Sequence, residues 1–177
     1  MDIIKELDQN HTCLGLVPSI EYNNIIVNMA WQLSKKSVCY VTLNKTYDSL
    51  KELFEKKGVN MKNMVFIDAI SKTIKKIDDN EDNCYYVSSP SALTEISLAI
   101  SKFLKHDFDY LIFDSLTNLT VYEKNAPVAK FLSSLINKIN ETKTRAIFYT
   151  INMGEQSELI KEVSMFVDNT LNLENTG

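Results

Sequence analysis

The chain has 177 residues, 45% of them hydrophobic and 24% charged, with a net charge of −4. That length and balance describe one globular domain with a substantial buried core. A net acidic chain with a single arginine, Arg145, lacks the basic face that nucleic-acid binding requires, which disfavours that class.

Cys13, Cys39 and Cys84 are odd in number and show no C-x-x-C spacing. Cys13 and Cys39 lie in apolar runs and read as buried thiols of a reducing compartment, with no metal site. There is no signal-peptide pattern and no apolar run near ~18 residues, so a cytoplasmic protein with no membrane role is expected. The pairs Lys35-Lys36, Lys56-Lys57 and Lys75-Lys76 fall near element ends and read as solvated surface.

In chain order, residues 1–11 form an N-terminal extension whose Ile3-Ile4-Leu7 stripe suits a short helix across the core. Cys13 to Val17 reads as a buried strand, and Ile25 to about Ser34 as a helix. Val38 to Leu43 is β-branched and aromatic, apolar on both faces, as in a covered strand. Asn44 to Asp48 opens a helix with Leu50, Leu53 and Phe54 inward, and Gly58 stops it. Met64 to Asp68 is a third strand.

Residues 71–83 form an exposed polar connection, ending in the acidic run Asp78-Asp79-Asn80-Glu81-Asp82. Cys84 to Val87 is a short strand. Ser88-Ser89-Pro90-Ser91 is expected to cap a helix with proline in its first turn. That helix carries Leu93, Ile96, Ile100, Phe103 and Leu104. Tyr110 to Asp114 is the clearest buried strand. Thr117 to Pro127 is a variable segment before a helix with Val128, Phe131, Leu132, Leu135, Ile136 and Ile139 inward. Ala146 to Thr150 is a central strand, Glu155 to Val163 a short helix, and Met165 to Leu173 an edge strand.

Strands alternating with helices predict an α/β domain with a mostly parallel sheet covered on both faces. Trp31, Phe54, Phe103 and Phe131 are expected in the core. Asp68 and Asp109 read as turn residues, and His11 and His106 as surface histidines.

In such a fold, ligands sit outside the carboxyl ends of the strands. Four segments fall there: Pro18 to Asn24, Asn44-Lys45, Asp114-Ser115 and Thr150 to Met153. The first joins a strand to a helix, which is where a phosphate-binding loop, G-x-x-x-x-G-K-[ST], would lie. Residues 17–24, Val-Pro-Ser-Ile-Glu-Tyr-Asn-Asn, have its length but not its chemistry. Val17 and Tyr22 stand at the glycines, Asn23 at the lysine and Asn24 at the Ser/Thr. Side chains at the glycine positions crowd a backbone that must approach phosphate oxygens. Glu21 lies near the helix N-terminus, where the dipole favours an anion by ~0.3–1 kcal/mol. It could serve as the chain's own occupant of a phosphate position. Asp114 ends an apolar strand in the pattern that can hold Mg²⁺ beside a nucleotide, a pattern many turn and capping aspartates share.

Val38 to Leu43, Phe66 to Ser71, Val87 to Glu95 and Leu111 to Leu116 resemble the KaiC/Rad55-like RecA-fold ATPases, in particular divergent archaeal members with degenerate phosphate loops. The likeness spans roughly residues 12–174 and implies a single RecA-like three-layer domain over residues 1–177. The family's Mg²⁺-associated aspartate falls on Asp114, followed by Ser115 as in the family. Its catalytic glutamates fall on Asn44 and Lys45, and an amide cannot take a proton from water. Its phosphate-loop lysine falls on Asn23 and its Mg²⁺-binding hydroxyl on Asn24.

The degenerate nucleotide site expected on this basis comprises Pro18, Ser19, Glu21, Tyr22, Asn23, Asn24, Asn44, Asp114 and Ser115, with no catalytic residue and no bound cofactor. The implied function is a non-catalytic interaction or regulatory module with a protein partner or a homo-oligomer. The alternative is a weak or unusual ATPase that uses Asp114 and Mg²⁺.

Overall fold

The apolar runs form a sheet of seven parallel strands among the described residues, in the order β4-β3-β2-β5-β6-β1-β7. These are β1 (Thr12–Val17), β2 (Val38–Thr42), β3 (Met64–Asp68), β4 (Cys84–Tyr86), β5 (Tyr110–Asp114), β6 (Arg145–Ile151) and β7 (Asn169–Asn172). The computed structural model describes residues 1–78, 80–81, 83–151 and 158–174. β2 and β5 are buried along their whole length, as strands covered on both faces must be.

One face carries α1 (Ile3–Gln9), α2 (Tyr22–Leu33) and α3 (Tyr47–Lys56), which bury Ile3, Leu7, Ile26, Leu33 and Phe54 against the sheet. The other carries α5 (Leu93–Leu104), α7 (Asn125–Asn140) and α8 (Glu158–Ser164), with α6 (Leu116–Tyr122) beside β6. The described residues of 71–83 include one helical turn, α4 (Ser71–Ile74), and those after it are largely exposed. Among the described residues no helix is long and apolar enough to cross a membrane.

Local chemistry sets several boundaries. Thr46 caps α3 by accepting from the Ser49 amide, and Gly58 follows α3 with a positive φ of 72°, a conformation that glycine adopts without strain. Asp68 is a fully buried hub at the end of β3. One carboxylate oxygen accepts from the amides of Ile70 and Ser71 at 2.7 and 2.9 Å. The other accepts from the Tyr47 amide at 2.7 Å and the Ser71 hydroxyl at 2.5 Å. It therefore ties β3 to the starts of both α3 and α4. Asp109 accepts from the amide and hydroxyl of Ser37, which holds its carboxyl below the usual carboxylate range. His11 is half-buried against the Ile139 carbonyl, and His106 is exposed.

Four expectations change. Trp31 is 61% exposed. The buried stripe of α2 runs through Tyr22, Ile25, Ile26, Met29, Ala30 and Leu33, and position 31 points away from it. Ser88 to Ser91 do not cap α5, whose N-cap is Ala92 without a side-chain bond, and Pro90 precedes the helix. Instead Glu95 folds back to accept from the Ser88 amide and hydroxyl. The segment from Thr117 contains most of α6, a helix short enough to carry only Leu116 and Leu119 inward. The last strand is shorter than expected because Met165 and Phe166 lie in an exposed turn. The start expected for α8, residues 155–157, lies outside the described residues.

Candidate functional site

The carboxyl ends of β2, β5, β6 and β1 are adjacent in the sheet, so the segments that follow them meet at one edge. Thr42 and Asp114 are register partners, as are Leu16 and Thr150. Asn152 and Met153 lie outside the described residues.

After β1 the chain turns at Pro18 into a 3-10 turn, Ser19–Glu21, and enters α2 at Tyr22. In this turn the Glu21 amide donates to the Pro18 carbonyl at 3.1 Å, and the Tyr22 amide to the Ser19 carbonyl. Two amides that a phosphate cradle would aim at its anion thus point into the loop's own backbone. Ser19, Asn23 and Asn24 are exposed, Pro18 and Glu21 half-buried. Glu21 holds the N-cap position of α2 without a capping bond from its side chain.

Tyr22 turns inward. Its hydroxyl donates to Asp114 Oδ2 at 2.5 Å, and the Tyr40 hydroxyl donates to the same oxygen at 2.6 Å. Asp114 is fully buried, and burial pushes its carboxyl up to about 6. The two phenolic bonds and the nearby Lys45 charge pull it in the opposite direction without cancelling the desolvation. The same burial raises both phenols well above the ordinary tyrosine range, so each remains a donor at neutral pH. Asp114 Oδ1 and the Tyr149 hydroxyl are buried without hydrogen-bond partners among the described residues.

Lys45 lies 5.9 Å from the centroid of the Tyr22 ring, within cation–π range. Asn44 is half-buried. Asn118, on α6, donates to the Leu43 carbonyl at 2.8 Å and to Asn44 Oδ1 at 3.4 Å. Ser115 is buried and donates to Asn118 Oδ1 at 3.2 Å, and the peptide bond between Asp114 and Ser115 is cis. Of the residues singled out from sequence, Tyr22, Asn44, Asp114 and Ser115 therefore belong to one connected group. Ser19, Asn23 and Asn24 remain at its solvent side.

Sequence reasoning missed Tyr40, Tyr149 and Asn118. A signal was present for the tyrosines. Both stand in largely apolar strands, and the buried Tyr40 hydroxyl needs the partner that Asp114 supplies. Asn118 gave none, because its role depends on a helix that was not foreseen.

No family profile matches the chain, and neither does any characterised protein. Its fold is that of the KaiC-like RecA domains. A solved structure of the KaiC-like protein PH0186 from the hyperthermophilic archaeon Pyrococcus horikoshii OT3 superimposes with a TM-score of 0.66 at 13% identity. The match covers 94% of this chain and 73% of that one. At this identity the likeness establishes a single three-layer RecA-like architecture.

Proposed function

We propose that the chain is a non-catalytic RecA/KaiC-like domain, a pseudo-ATPase that works as an interaction or regulatory module. The observation that carries this reading is the Tyr22 hydroxyl on Asp114. The loop residue at the second glycine position places its own ring and donor against the one acid that could have served a metal.

The donor set around Asp114 does not fit Mg²⁺ with ATP. Magnesium demands near-octahedral oxygen ligands and binds through carboxylate, hydroxyl, water and phosphate. Here one Asp114 oxygen already accepts two phenols, and the position of the metal-binding hydroxyl is an exposed asparagine, Asn24. Among the described residues no cluster of His, Cys, Asp or Glu could hold a metal ion. A charged hydrogen bond contributes ~1.5–3 kcal/mol. Displacing Tyr22 would thus lower nucleotide affinity by about one to two decades, before the missing lysine is counted. No carboxylate stands at Asn44 to act as a base.

Isothermal titration with ATP and Mg²⁺ tests the reading. The expected result is no binding heat at millimolar nucleotide and no turnover. Measurable turnover that disappears in Asp114→Ala would establish the alternative, an unusual ATPase.

A further inference from the structure

We draw no further inference here: the strongest candidate, the side-chain cluster between β5 and β6 in which Asp114 Oδ1 and the Tyr149 hydroxyl lie buried without hydrogen-bond partners among the described residues, belongs to the site already described.

Discussion

Asp114 accepts two phenolic hydrogen bonds through one oxygen in a fully buried site, so its ionisation is coupled to folding. Its folded value of about 6 stands above the ordinary 3.8. The folded state therefore holds the proton more tightly than the unfolded chain. The stability this group contributes is complete below about pH 4 and is lost as the pH rises through about 6. The effect is up to about 3 kcal/mol. Asp114→Asn keeps the shape of the protonated acid, so its stability relative to wild type should rise by up to that amount between about pH 4 and pH 7. Urea unfolding of both proteins at the two pH values measures it. Tyr22→Phe removes one of the two donors and should cost about 1–3 kcal/mol, which lowers the melting temperature by about 2–4 °C per kcal/mol. It should also raise the Asp114 value further, because the Tyr22 bond now holds it down.

Among the elements, Asp68 illustrates how a turn residue becomes structural. Four hydrogen bonds converge on it from Tyr47, Ile70 and Ser71, and it is fully buried. Asp68→Ala should destabilise by about 3–5 kcal/mol in thermal or chemical unfolding, well beyond the ~1 kcal/mol expected of the exposed Asp109→Ala. Trp31→Lys should change stability by less than about 0.5 kcal/mol, because the ring is mostly exposed on α2. The strands were the most legible elements. β3 and β5 fall on the residues expected of them, since burial on both faces leaves a continuous apolar signature. The short helices were not. α6 has only two inward residues, too few for a period to show. The serine cluster before α5 misled because Glu95 uses Ser88 in a bond across the loop, while the helix itself starts at Leu93.

For the whole molecule, alternation of strand and helix was enough to foresee a parallel sheet covered on both sides. The order of the strands was not legible, because it depends on β5 and β6 inserting between β2 and β1. That insertion is what brings Tyr22, Tyr40 and Asp114 together across sequence separations of 92 and 74 residues. The sequence therefore showed that residues 17–24 lack the phosphate-loop pattern, but not that Tyr22 within them reaches Asp114. In the proposed reading this contact, with the loop's inward-turned amides, takes the place of nucleotide. The most direct check is the melting temperature with and without millimolar ATP and Mg²⁺. A shift below about 1 °C is expected. A ligand present at about 100 times its Kd would add about 2.7 kcal/mol and raise the midpoint by about 5–10 °C. A rise of that size would mean that the chain still binds nucleotide, against the proposed reading.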